Sequence, residues 1–437
     1  MTTHAHSSHP TPLTDPLRTR DFTLLIAGLG ISLFGNLMLR FAMSMWVLDE
    51  TGSAAAFASI LTASVIPTIA LTPFGGVLAD RMNRRTIMVA LDALSAAVVL
   101  VCAAAFSIRG FNLAAIAVMQ VTLAVLDALE TPTVQAALPQ MFRQYGEDVM
   151  RRAMATVNMV NQAGTLVPAL LGGVLYALVG AAPMMIIAVA GFAVAATVEC
   201  FIRLERPERG GSGHASPLDD LRTAARFLTR ERVHVFQLLL FCAVLNFLIT
   251  GYAEVGFPYT VRMALGFDAT TYGVVYALIG VSGLLGALAG GRVAHRLSMK
   301  WFPATIVAFA CTILPQAVAM SMPVNRWVRL VVLTAGTCGT MVAVCLSNLI
   351  SVPAIQMSCP ESLTGKVMSL ALATSMCAQP LGQIAYGWAY RVLPAGAVLS
   401  ATFMLALACT MPMARVSRRF SRAAVAPRMN ASATSAC

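Results

Sequence analysis

Charge is scarce in this chain, and the scarcity excludes most water-soluble folds. Only 11% of its 437 residues are Asp, Glu, Lys or Arg, against 58% hydrophobic residues, which is too little polar surface to cover a soluble body. Acidic residues are fewer than basic ones, 19 to 30, so the net charge is +11. No Cys-x-x-Cys pair occurs, and the ten cysteines lie mostly inside apolar runs, where they behave as small apolar residues rather than as a zinc site, a redox centre or a disulfide framework. The Gly-x-x-x-x-Gly-Lys-Ser/Thr loop that cradles a nucleotide phosphate is also missing, which argues against ATP-driven work by this chain alone. With no convergent catalytic constellation, the sequence predicts no enzyme, no cofactor and no resident metal.

What the chain has in abundance is long apolar runs. A helix needs about 20 residues to cross a hydrocarbon core of roughly 30 Å, and twelve runs reach that length: 22–48, 55–79, 87–108, 111–131, 154–178, 182–202, 234–258, 270–294, 302–321, 328–350, 365–391 and 395–414. They are continuously apolar rather than alternating, so helices and not barrel strands are expected, each satisfying its own backbone in lipid. The first run is too long for the core of a cleavable signal and is expected to remain as a helix. The positive charge sorts by side rather than forming a nucleic-acid patch. With the N-terminus inside, 24 basic residues fall on inner segments and five (Arg109, Arg262, Arg326, Arg329 and Arg391) on outer loops, while Arg40 alone lies within a span. The positive-inside rule then places both termini and the central linker in the cytoplasm.

The chain is duplicated. Gly76-Val-Leu78-Ala79-Asp80-Arg81-Met-Asn83-Arg84-Arg85 is answered 215 residues later by Gly291-Arg-Val-Ala294-His295-Arg296, and Pro132-x-x-Gln135-x-x-x-Pro139 by Pro353-x-x-Gln356-x-x-x-Pro360. Internal repeats of this kind are a mark of transporters with two pseudo-symmetric halves. The expected division is a tail over 1–21, a six-helix bundle over 22–202, a linker over 203–233, a second bundle over 234–414 and a tail over 415–437. Within the linker, Leu218, Leu221, Ala225 and Leu228 alternate with basic residues in the pattern of an amphipathic helix lying on the inner membrane face. Both tails are polar or basic and are expected to lack fixed structure.

Twelve spans, a linker after the sixth and the loop signature together resemble the major facilitator superfamily. The superfamily's loop pattern, Gly-x-Leu-Ala-Asp-Arg-x-Gly-Arg-Arg/Lys, is met by Gly76, Leu78, Ala79, Asp80, Arg81, Arg84 and Arg85, with Asn83 the one departure. Phe22, Leu25, Ala27-Gly28, Ser32 and Gly35, then Thr51-Gly52-Ser53-Ala54 and Pro67, are similar to the branch that holds macrolide-efflux and enterobactin-exporter proteins. An antiporter signature expected on the fifth span is kept only at Pro168 and Gly172. The resemblance implies an all-α membrane fold of twelve helices in two six-helix bundles. It also implies a multi-pass protein of the bacterial inner membrane that works as a monomer on a small-molecule cargo, with the lipid bilayer and protons as partners and no nucleic acid.

Ionisable residues inside the spans are the candidates for coupling, because a charge at membrane depth is costly unless paired or facing a watery cavity. Arg40 and Glu254 lie 214 residues apart, close to the repeat offset, and are expected to face each other across that cavity. Asp92 is a second candidate, while Asp127 and Glu130, three apart on one helical face, are expected to pair with loop arginines at the inner gate, and Glu199 with Arg203. Asp80 with Arg81, Arg84 and Arg85 is expected to latch one gate state, and Pro67, Pro168, Pro315 and Pro380 mark helices able to bend. His4, His6 and His9 sit on the tail, and His214-x-x-x-x-Asp219 matches an acyltransferase spacing without a catalytic domain around it, so neither is assigned a role. The resulting expectation is a secondary active transporter that exports a siderophore or a lipophilic drug by alternating access, in exchange for protons. Uptake of a small metabolite and lipid handling without transport are the alternatives.

Overall fold

The computed structural model describes residues 16–142, 145, 147–204, 217–293, 296–359 and 361–434, with most of their side chains. Twelve long helices and one short one account for nearly all of them. The first half comprises α1 (Arg20–Thr51), α2 (Ala54–Arg81), α3 (Arg84–Arg109), α4 (Leu113–Phe142), α5 (Glu147–Val179) and α6 (Ala181–Glu199). After the short α7 (Pro217–Arg230) come α8 (Val233–Ala264), α9 (Ala269–Val293), α10 (Phe302–Ser321), α11 (Arg326–Met357), α12 (Glu361–Val392) and α13 (Ala395–Thr434). The two halves of the loop repeat fall on α2 and α9, and the two Pro-x-x-Gln motifs on α4 and α11, the second and fourth helices of each half.

The helix boundaries follow from local chemistry. Gly52 ends α1 at φ 57°, where its N–H donates to the Leu48 carbonyl, and Ser53 then caps α2 by accepting from the Ala56 N–H. Asn83, the departure from the superfamily loop pattern, has extended backbone and caps α3 by accepting from the Arg85 N–H at 3.0 Å. An Asx cap thus replaces a glycine without strain.

Among the described residues ten helices are long and apolar enough to cross a membrane. Their outward residues are apolar and exposed, as Val101, Ile108, Val118 and Val331 illustrate, which is the surface lipid requires. The remaining long helices, α5 and α12, lie on the seam between the halves: α5 packs on α9, and α12 on α2 and α8. Glutamine on α12 and its burial at Gln383 suit that seam rather than lipid.

Two parts differ from expectation. The last helix continues past the membrane-length stretch to Thr434, because the segment after Met413 is rich in Ala and Arg, both good helix formers. The linker contains the expected amphipathic helix, α7, and its Phe227 and Leu228 are buried with Val235, Leu238 and Val367, so this helix is docked on α8 and α12.

Packing differs between the two ends of the bundle. At the end where the termini lie, each half has its own apolar core, around Phe22, Leu25, Met88 and Phe142 in the first half and around Phe227, Phe302, Ile355 and Val367 in the second. At the opposite end one cluster joins Met45, Leu48, Ala54, Phe57 and Ala58 of the first half to Leu248, Tyr252, Phe257, Tyr386 and Tyr390 of the second. The molecule is closed at that far end.

Candidate functional site

Two features of α8 place a charge in the middle of the seam. Its segments Gly251–Gly256 and Thr260–Ala264 are π-helical, a wider winding that recurs at functional positions. Close approach of α12 is made possible by glycine: a Cβ on Gly251 would fall 2.8 Å from the Gly382 carbonyl oxygen, and one on Gly382 would fall 2.2 Å from that of Phe247. Between these contacts Glu254 accepts a hydrogen bond from Gln383 Nε2 at 2.7 Å, and Gln383 Oε1 accepts from Thr62 Oγ1 at 3.1 Å. One chain of polar contacts therefore runs from α2 through α12 to α8 and ties the halves together.

Glu254 opens onto a cavity of about 240 Å³ walled by Arg40, Phe41, Ser44, Phe57, Tyr272 and Tyr276. Phe41 stacks on Tyr272 at 5.8 Å, and Tyr272 lies 5.6 Å from Tyr276, so the cavity has an aromatic wall with one acid and one base. Arg40 and Glu254 do line one space, as the repeat offset predicted, yet no ion pair joins them among the described residues. Glu254 is engaged by Gln383 instead, and Arg40 lies within coulombic range of both Glu254 and Asp127.

The other acidic residues assemble differently from the sequence reading. Among the described side chains Glu130 pairs with no loop arginine, those of Arg81, Arg143 and Arg151 lying outside the description. It meets Asp92 from α3 and Glu199 from α6, the three offering carboxylate oxygens that all lie within 4.8 Å of one another. Glu199 does not pair with Arg203; it is fully buried, whereas Arg203 is exposed and its backbone N–H donates to Asp21. The helix end expected to carry Glu199 into a polar loop turns it inward because Gly28 of α1 leaves room for it, a Cβ there falling 2.8 Å from Glu199 Cγ. Sequence reasoning saw each of these acids but not their convergence, since three helices supply them and only Asp127 and Glu130 share a helical face. Gly28 was the available signal.

Of the expected latch, Gly76, Asp80 and Arg81 lie outside the described side chains, as does Pro168. Arg84 donates to Gln140 at 2.8 Å, a contact within the first half, and Arg85 lies in the first turn of α3. Pro67 lies within α2 and Pro315 and Pro380 within α10 and α12, all inside unbroken helices. The far end carries a contact absent from the expectation: Arg262 of α8 pairs with Asp49 of α1, and Tyr176 of α5 donates to the same carboxylate at 3.0 Å. Nearby, Gly173 of α5 and Gly273 of α9 meet backbone to backbone, a Cβ on Gly173 falling 2.5 Å from Gly273 Cα. In the loop before α9, the Thr271 hydroxyl donates to Asp268 and holds its carboxyl below the usual range.

The comparisons with known proteins agree with this architecture. The family model of the Major Facilitator Superfamily matches residues 25–383. The multidrug efflux pump Tap of Mycolicibacterium fortuitum is 26% identical over 409 residues, covering 91% of this chain and 93% of that protein. Among solved structures, the nucleoside transporter NupG superposes with a TM-score of 0.71 at 12% identity, over 92% of this chain and 99% of that one. A bacterial homologue of the iron transporter ferroportin, in its inward-facing state, gives 0.66 at 17%, over 91% and 98%. At these identities the two structures speak for the fold alone, and they include proteins that move quite different cargoes. Twelve long helices in two halves, a charged cavity on the seam and a family match over most of its length make this chain a multi-pass membrane transporter, not an enzyme, that belongs to the major facilitator superfamily.

Proposed function

We propose that the chain exports a lipophilic or amphiphilic organic molecule of the drug class, in exchange for protons, by alternating access across the bacterial inner membrane. The observation that carries this reading is the seam cavity, in which an aromatic wall is interrupted by one acid, Glu254, and one base, Arg40. Aromatic faces suit a bulky apolar cargo, and a single pair of opposite charges suits an amphiphile better than an oxygen-rich iron chelator, which calls for several cations. The likeness to a multidrug efflux pump supports the same choice.

Sidedness comes from charge. Arg84, Arg152, Arg230, Arg292 and Arg296 gather at the end with the termini, and the positive-inside rule makes that end cytoplasmic. The far-end closure then corresponds to an inward-facing state, and Asp80 with the loop arginines serves as a latch for one gate state. Glu254 is the proton carrier of this scheme: taking up one proton at its carboxylate removes the negative charge that faces Arg40 and alters the acceptor offered to Gln383, which biases the seam between its two states. Asp127 positions Arg40, and the chain acts as a monomer.

The test is accumulation of added lipophilic drugs in a deletion strain and in the same strain carrying the wild type or Glu254→Gln. Retention in the deletion strain, reversed by the wild type and not by the variant, is expected. Reduced uptake of a medium component with no retention would instead make the chain an importer.

A further inference from the structure

The buried carboxylates of the first half have a composition that the cargo cavity does not need. Asp92, Glu130 and Glu199 come from three helices, are all buried, and present oxygens within 4.8 Å of one another. Among the described residues, Ser32 on α1 and Asp127, one turn back on α4, act on these acids, and no cation does. Ser32 donates to Asp92 Oδ1 at 2.7 Å.

A cluster of acids alone would say little, but Glu199 adds a separate fact. Its side chain is fully buried and neither of its oxygens has a hydrogen-bond partner, and Asp92 Oδ2 is also unpartnered. A buried polar group without a partner is unfavourable, the more so when charged, and Gly28 has no side chain at the spot that Glu199 fills. The sequence thus makes room for an arrangement that is unfavourable unless something positive completes it.

We infer that Asp92, Glu130, Glu199 and Ser32 form a binding site for a hard divalent cation inside the first half, separate from the cargo cavity. The donors are all oxygen, with no imidazole or thiolate, which selects Ca²⁺, Mg²⁺ or Mn²⁺ over softer metals. The span fits: oxygens on opposite sides of an ion bound at about 2.3–2.6 Å are separated by roughly 5 Å. The site ties α3, α4 and α6 to α1, so an ion there would stiffen the first half as one body.

The test needs no knowledge of the cargo. Full-length protein, purified in detergent and stripped with chelator, is titrated with Mn²⁺ and bound metal counted by paramagnetic resonance, with Ca²⁺ and Mg²⁺ as competitors. One saturable Mn²⁺ per chain is expected, weakened about tenfold or more in Glu199→Gln and in Asp92→Asn, in line with the loss of a ligand or its close support. The wild type should also gain thermal stability with added Mn²⁺, because an ion bound only by the folded state shifts unfolding. Absence of saturable binding to the wild type overturns the inference, as does full binding by both variants; either result leaves the drug-efflux reading untouched. Should one variant fail to fold, the wild-type titration and the other variant still decide.

Discussion

At the residue scale, the weight of the proposal rests on Glu254. Its carboxylate is both the acid of the cavity and the acceptor at the end of the Thr62–Gln383 chain. Glu254→Gln keeps the size of the side chain and loses the charge. Because a hydrogen bond to a charged group is worth about 1.5–3 kcal/mol, a tenfold or greater fall in proton-driven efflux is expected with the protein still present in the membrane. Measured as drug movement from inverted vesicles under an imposed pH gradient, an undiminished response would remove Glu254 from the coupling role. Gly382 offers a prediction about stability instead. A methyl at 2.2 Å from the Phe247 carbonyl oxygen forces α12 away from α8, and overpacking of this kind costs about 1–3 kcal/mol. Gly382→Ala should therefore lower the melting temperature of the purified protein, whereas Gly291→Ala, whose Cβ would meet nothing within 4 Å, should leave it in place.

At the scale of elements, the twelve long helices were legible because lipid imposes one demand on every span: a run of about 20 apolar residues. The repeat, the linker helix and the joint lining of one cavity by Arg40 and Glu254 were legible for a related reason, since each follows from spacing along the chain. What could not be read was how helices distant in sequence share a buried group. Glu199 seemed to belong to the loop beside Arg203, and only the packing of α1 against α6, which Gly28 permits, turns it inward. Nor do spacing rules predict the π-helical turns of α8, which arise where Gly251 and Gly256 accept Tyr386 and Tyr390 at close range. The Asp49–Arg262 pair was hidden similarly, both residues being unremarkable charges at helix ends until α1 and α8 meet. It lies partly exposed, with side-chain accessibilities of 31% and 11%, so its worth is about 0.5–1 kcal/mol. Asp49→Asn should accordingly shift the balance of states away from far-end closure by a factor of about 2–5, read from spin-label distances across that end. An unchanged distribution would mean that the apolar cluster alone sets the balance.

For the whole molecule, the two ends of the bundle make opposite statements, and alternating access requires that they exchange roles. The far end is sealed by one apolar cluster that crosses the seam and by the contact of Gly173 with Gly273, while the end with the termini has two separate cores. A seal made by glycine against glycine tolerates no side chain, since backbone atoms cannot rotate away as a flexible side chain can. Gly273→Leu should therefore wedge α5 from α9 and favour the opposite state, in which the far end opens and the end with the termini closes. Two pairs of spin labels, one spanning the seam at each end, give the measurement: the far-end distance should lengthen and the other shorten within the same sample. Transport should fall, because a protein trapped in either state cannot complete the cycle. If both distances lengthen together, the halves have merely separated and the rocking scheme fails; if neither changes, the Gly173–Gly273 contact is not part of the gate.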